Sequence, residues 1–206
     1  MNIMSPGPNT RPNESYHRME DGTREEYHLL RELGKPFKEK KVERILTHLD
    51  GLHNSYPGMA VSRYVHSLQT ATQAHRAGES EEYVVAALLH DIGDLLAPDN
   101  HGPIAAEVIK PYVSAETYWM ITYHNLFQGY FFFHHYGKDR NARDKFKGHP
   151  CYQMTVDFCA KYDQTAFDPK MDTMPIEAFT PMVGRVFSRE PWGAHTKLKQ
   201  YEPTGY

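Results

Sequence analysis

Residues 81–96 read EEYVVAALLHDIGDLL, apolar on every side of a helix through the middle and then ionisable at His90, Asp91 and Asp94. A helix without a polar face has no side to turn to water, so it belongs at the centre of a bundle with other helices packed around it. His90 and Asp91 come at the end of this buried run, where an ionisable pair costs free energy unless a cation or a hydrogen-bonding partner satisfies it. The segment therefore makes two demands on the rest of the chain. It needs amphipathic helices to surround it, and it needs a reason for charge at the centre.

The surrounding helices are legible from periodicity. Residues 19–33 predict a helix with Tyr27, Leu30 and Leu33 on one face, and residues 39–53 a second with Val42, Ile45, Leu46, Leu49 and Leu52 in a stripe. A break at 54–58 precedes a helix over 62–77, with Val65, Leu68 and Ala71 inward, His66 one position from that stripe and Gly78 as its stop. After the central helix over 81–96, another starts near His101, accepts Pro103 in its first turn and ends before Pro111. Ser114 is a natural N-cap for a helix to Phe127 that buries Tyr118, Ile121, His124 and Leu126 and ends at Gly129. Residues 130–148 read as a capping hairpin or short helix over a cleft, and periodicity returns over 150–167 and 175–188. No strand-period segment or internal repeat occurs, so the expected fold is an all-α helical bundle. The expected organisation is an arm over 1–18, one domain over 19–190 and a tail over 191–206.

Charge and cysteine content narrow the function. Lys and Arg total 23 against 26 for Asp and Glu, a net charge of −3 with no basic block, which argues against a nucleic-acid or anionic-membrane partner and for a small molecule. Cys151 and Cys159 are too few for a thiolate cage or a secreted disulfide framework, so the expected compartment is the cytoplasm. The longest aliphatic run is 84–89, so neither a membrane span nor a signal peptide is expected. Histidine, by contrast, occurs 13 times, and imidazole with carboxylate suits iron, manganese and zinc where thiolate is absent. A lone histidine on an apolar face is most often a hydrogen-bonded core residue. The evidence lies in the set: His66, His90 with Asp91, His101, His124 and Asp163, most of them on or at the ends of helices that pack around the central one.

This order resembles the HD-domain superfamily, named for adjacent metal-binding His and Asp residues, in which a first His is followed by a His-Asp pair and a distal Asp. His66, the pair in LLHDIGD and Asp163 in AKYDQ fill those places, and His101 and His124 are similar to the added ligands of the binuclear branch. The resemblance covers residues 46–187 and implies an HD-domain helical bundle with two metal ions. It implies that His66, His90, Asp91 and Asp163 hold one ion, with Asp91 bridging to a second on His101 and His124. Binuclear members include metal-dependent phosphohydrolases and mixed-valent diiron oxygenases. Four segments, YPGMAVSRYVHSLQTA, HDIGDLLAPDNHGPIAA, HNLFQGYFFFHHYG and FCAKYDQTAFDP, resemble the phosphonate dioxygenases among the latter. That branch implies two iron ions (Fe2+/Fe3+), O2 and a 1-hydroxyphosphonate such as 1-hydroxy-2-(trimethylamino)ethylphosphonate, cleaved to glycine betaine and phosphate. Tyr56, ten residues before His66, is then the catalytic residue that shields the open metal position. A binuclear phosphohydrolase is the alternative, and a catalytically silent ligand-binding scaffold a third.

The chain departs from the phosphonate-dioxygenase pattern at Met59, where a Glu is usual, and at Asp94 and Gln128, where a His and a Lys serve the phosphonate. Asp94 and Gln128 are accordingly expected at the substrate. A carboxylate at 94 would repel a phosphonate, which points either to a substrate cation beside it or to a salt bridge with a Lys or Arg. Arg140, Arg143, Lys145 and Lys147 are candidates for an anion clamp or a solvated face. The aromatic run 130–133 is a candidate for an ammonium pocket or plain core packing.

Overall fold

The amphipathic stripes become eight α-helices joined by 3-10 turns, with no strand among the described residues, in a computed structural model that describes residues 16–55 and 57–196. None of these helices is long and apolar enough to cross a membrane. Backbone contacts divide the chain into two units that meet in sequence at Lys41 and Val42.

In the first unit, α1 (Arg24–Glu39) differs from the expected helix at both ends. It starts late because Thr23 and Glu26 form a capping box: the Thr23 hydroxyl accepts from the Glu26 amide at 3.3 Å and the Glu26 carboxylate accepts from the Thr23 amide at 2.7 Å. It then runs on through Gly34 and Pro36. No residue of α1 is buried, so the carbonyl that loses its partner at Pro36 can turn to water.

The second unit holds α2 (Lys41–Asp50) from Val42 on, α3 (Arg63–Arg76), α4 (Glu81–Leu89), α5 (His101–Ile109), α6 (Ala115–Phe132), α7 (Tyr152–Phe158) and α8 (Ile176–Phe187). α4 is the expected central helix, buried at every position from Tyr83 to Leu89, with α3, α6 and α8 packed on it. Leu49, Leu52, Phe127, Phe158, Phe179 and Phe187 complete the core. Ser62, Ser80 and Ser114 cap α3, α4 and α6, each accepting from the amide three residues on.

α3, α6 and the helix expected over 150–167 depart from the expected pattern. α3 is buried from His66 to Thr72 rather than along one stripe, and its polar residues are satisfied internally. Thr70 and Thr72 donate back to the carbonyls of His66 and Leu68 at 2.8 and 2.7 Å, and Gln69 donates to the Asp168 carbonyl at 2.6 Å. α6 passes Gly129 to reach Phe132, because that glycine is a packing position: a Cβ there would lie 2.4 Å from the Phe133 ring. The helix expected over 150–167 is α7 followed by a π-turn, Cys159–Asp163.

Candidate metal centre

The break after α4 creates the site. The helix expected to reach Leu96 ends at Leu89; His90 keeps helical angles, Asp91 leaves them at φ −103°, and a 3-10 turn, Ile92–Leu95, follows. Gly93 in that turn lets the chain close on itself, since a Cβ there would lie 2.3 Å from the His101 carbonyl oxygen. The first residue of α5 is thereby drawn against the end of α4, and His101 faces Asp91. On the opposite side the π-turn carries the Gln164 amide back to the Cys159 carbonyl at 3.0 Å and leaves Tyr162 and Asp163 buried. Such turns recur at functional sites because the extra residue re-aims a side chain.

Four imidazoles meet here in one arrangement. Nδ1 lies 2.9 Å from the Ala166 carbonyl in His66, 2.8 Å from Ala87 in His90, 2.7 Å from Pro98 in His101 and 2.7 Å from Ile121 in His124. A carbonyl only accepts, so each Nδ1 carries its hydrogen and each Nε2 turns a lone pair inward, the orientation that metal-binding histidines adopt. The Nε2 atoms of His66 and His90 are 3.1 Å apart, so either a proton on one of them or a cation between them must bridge the two nitrogens.

Asp91 divides the four. Its Oδ2 lies 3.5 Å from His66 Nε2 and 3.4 Å from His90 Nε2, while its Oδ1 lies 3.4 Å from the Nε2 of both His101 and His124. Asp163 Oδ1 joins the first pair at 3.2 Å from His66 and 3.7 Å from His90, and its Oδ2 is buried without a partner. Ligands about 2.1 Å from one ion are separated by roughly 3.0 Å at a right angle and 3.4 Å at the tetrahedral angle. The donor spacings here match those edges, and His66, His90 and Asp163 on one side and His90, Asp91 and His124 on the other form two groups able to hold an ion. The residues fit a metal pair that shares Asp91.

Charge and solvent access agree. Burial opposes ionisation of Asp91 and Asp163, yet His90 and Arg63 beside Asp91, and His66 and His90 beside Asp163, hold both carboxyls below their usual range. Burial likewise opposes charge on His90, but the Asp91 and Asp163 carboxylates carry it up to about 9. Burial, with His90 and His101 nearby, keeps His124 low. Phe167 stacks on His66 at 4.3 Å, and Phe158 stands edge-on to His90 and His124 at 5.7 and 6.2 Å. His101, with its side chain 16% exposed, marks the open side.

Arg63 is a member of the site that motif spacing did not single out. Its Nη1 donates to Asp91 Oδ2 at 3.0 Å, and its Nε forms an ion pair with Asp94 Oδ2 at 3.0 Å without the alignment of a hydrogen bond. A basic residue one helical turn ahead of a histidine ligand, on the same face, was the available signal. Arg63 also lines a cleft of about 250 Å³ formed with Leu52, His53 and residues 57–62. Asp94 therefore faces a protein cation, and its Oδ1 lies 3.2 Å from His101 Nδ1. Burial and the Asp91 carboxylate push its carboxyl up.

Of the remaining candidates, Gln128 stands one turn beyond His124 on α6 with its Oε1 buried and unpartnered. Tyr56 lies outside the described residues. The Tyr130 ring has the guanidinium carbons of Arg140 and Arg143 at 4.2 and 3.9 Å, so side chains of this protein occupy the place expected for a substrate ammonium group. Lys147 pairs with Asp144 at 2.7 Å, and Lys145 is exposed beside Phe146.

No curated protein matches the chain. A family model does, over a span that carries His66, His90, Asp91, His101 and His124 and ends before Asp163. Residues 63–149 match the HD domain, whose members are in general metal-dependent enzymes, and the buried His and Asp groups of this chain could hold a metal.

Proposed function

We propose that this protein is a non-haem diiron oxygenase that uses O2 to cleave the carbon–phosphorus bond of a 1-hydroxyphosphonate. The observation that carries the reading is the Asp91 carboxylate, which turns one oxygen to His66 and His90 and the other to His101 and His124. His66, His90, Asp163 and Asp91 Oδ2 would hold one ion, and His101, His124 and Asp91 Oδ1 the other. A set of nitrogen and oxygen donors without thiolate suits iron. When bound, an iron pair would supply the redox chemistry that activates O2.

The chain's own residues then have defined tasks. The four carbonyl-bonded Nδ1–H groups fix the imidazole planes, so the ligand geometry is set before any ion or substrate arrives. Phe158 and Phe167 wall the buried side against water, leaving approach from the side of His101. Arg63 offsets the charge of Asp91 and Asp94 and lies where the 57–62 cleft meets the centre. The similarity of the segments around Tyr56, His90, His124 and Asp163 to phosphonate dioxygenases supports 1-hydroxy-2-(trimethylamino)ethylphosphonate as substrate. One O2 would be consumed for each glycine betaine and phosphate formed.

The test is to incubate iron-loaded protein with this phosphonate, with and without O2, and to measure phosphate. Release that requires O2 is expected. Equal release under strict anaerobiosis would overturn the oxygenase and identify a metal-dependent phosphohydrolase, because hydrolysis needs only water.

A further inference from the structure

Outside the metal centre, the most costly arrangement among the described residues lies where the 3-10 turn Ala142–Phe146 meets α6. Arg140 Nε and Arg143 Nε and Nη1 are buried, and none has a hydrogen-bond partner. Buried polar groups are nearly always paired, and an unpaired guanidinium N–H carries its full desolvation penalty. Neither arginine forms an ion pair with a carboxylate among the described residues. The nearby acids are engaged elsewhere: Asp144 accepts from Lys147 and Tyr152 at 2.7 and 2.9 Å, and exposed Asp139 accepts from the Asn141 amide at 2.8 Å. Both guanidinium carbons lie within 4.2 Å of the Tyr130 ring centroid, which places the two positive charges no more than about 8 Å apart.

Cation–π contact with Tyr130 offsets part of this cost and holds both guanidinium groups at the ring. It leaves Arg140 Nε and Arg143 Nε and Nη1 without an acceptor. Two like charges with unused donors and no carboxylate partner are what a tetrahedral oxyanion requires, since Arg binds phosphate-type oxygens through paired N–H groups. We propose that Arg140 and Arg143, held at the Tyr130 ring, form an oxyanion-binding subsite for a phosphate or phosphonate group.

Burial pushes the Cys159 thiol up while the Arg143 charge acts in the opposite direction, so Arg143 lies within electrostatic reach of Cys159. Cys159 in turn donates its S–H to the carbonyl of His124 at 3.4 Å. The identity of the occupant as the phosphonate of the substrate, or the phosphate it becomes, rests on the proposed function; the anion subsite itself does not.

The experiment measures inorganic phosphate binding to the full chain, by titration calorimetry and by the phosphate-dependent rise in Tm. It uses both chelator-stripped and iron-loaded protein and compares wild type with Arg143→Gln, Arg140→Gln and Arg143→Lys. Phosphate should stabilise wild type with or without metal. Each glutamine variant should bind phosphate at least about tenfold more weakly, Arg143→Lys should recover part of the loss, and metal content should not change. In phosphate-free buffer the glutamine variants should be as stable as wild type or more so, because a buried unpaired charge is removed. A phosphate effect seen only in iron-loaded protein and unaltered in the variants would place the anion on the metals and overturn the proposal. A phosphate-independent fall in Tm in the glutamine variants, with no phosphate effect on wild type, would make the stack structural only.

Discussion

Asp91→Asn tests the centre where it is most specific. The amide has the size of the carboxylate but one oxygen, so it can face either the His66–His90 side or the His101–His124 side, not both. The pair His101 and His124 has no second carboxylate comparable to Asp163, so that side should lose its ion first. An ion present at a hundred times its dissociation constant stabilises the folded state by about 2.7 kcal/mol. For a chain of this size each kcal/mol shifts Tm by about 2–4 °C, so one lost ion removes roughly 5–11 °C of metal-dependent stabilisation. The metal-free variant has a separate cost. Arg63 Nη1 loses a charged hydrogen bond of 3.0 Å, and bonds of this kind contribute about 1.5–3 kcal/mol. Relief of the repulsion between Asp91 and Asp94, which helps to push the Asp94 carboxyl up, offsets part of it. Metal analysis of anaerobically purified protein and calorimetry with and without iron give both quantities. Wild type should hold two ions and the variant one or fewer. Two ions in the variant, with the full metal-dependent rise in Tm, would refute Asp91 as the shared ligand.

Gly93→Ala should displace the start of α5, because its Cβ would lie 2.3 Å from the His101 carbonyl oxygen; metal content should fall toward one ion, and retention of both would refute the close approach as the reason for this glycine. Asp94→Asn should free Arg63 and slow turnover of trimethylammonium and neutral 1-hydroxyphosphonates by similar factors, whereas a loss confined to the cationic substrate would place Asp94 against the substrate's ammonium group. Glu82→Gln should cost about 1–3 kcal/mol at pH 7, because burial opposes the Glu82 charge but the Ser114 amide, Arg189 and the Thr117 hydroxyl outweigh it. Its folded carboxyl is depressed, so the advantage of wild type over the variant should be complete above the ordinary value of 4.5 and decline as pH falls below it; an advantage independent of pH in thermal melts would reject the carboxylate as its source.

Much of the fold was legible because the information is local. The apolar run 83–89 required a central helix, and Ser114 marked a helix start through a bond that spans only three residues. The ligand types were legible for a related reason: His90 and Asp91 at the end of a buried helix leave a charge that something must satisfy. The helix ends were less legible. Gly129 reads as a stop in sequence, but its missing side chain makes room for Phe133. The stop that does occur, at Leu89, depends on the approach of His101 to Gly93, a contact that periodicity does not express.

By itself, then, the sequence determined an all-α bundle around one apolar helix and a supply of imidazoles and carboxylates directed at its end. Only the tertiary structure decided how those donors share charge. The bond from His66 to the Ala166 carbonyl spans 100 residues, the His66–His90 contact spans 24, and Asp163 reaches them through a π-turn. The two-sided use of Asp91, the pairing of Arg63 with Asp91 and Asp94, and the unpartnered arginines over Tyr130 likewise arise where separate elements pack. A one-dimensional pattern reports which face of a helix is buried; which atoms meet there depends on where neighbouring backbones stop, and packing sets that position.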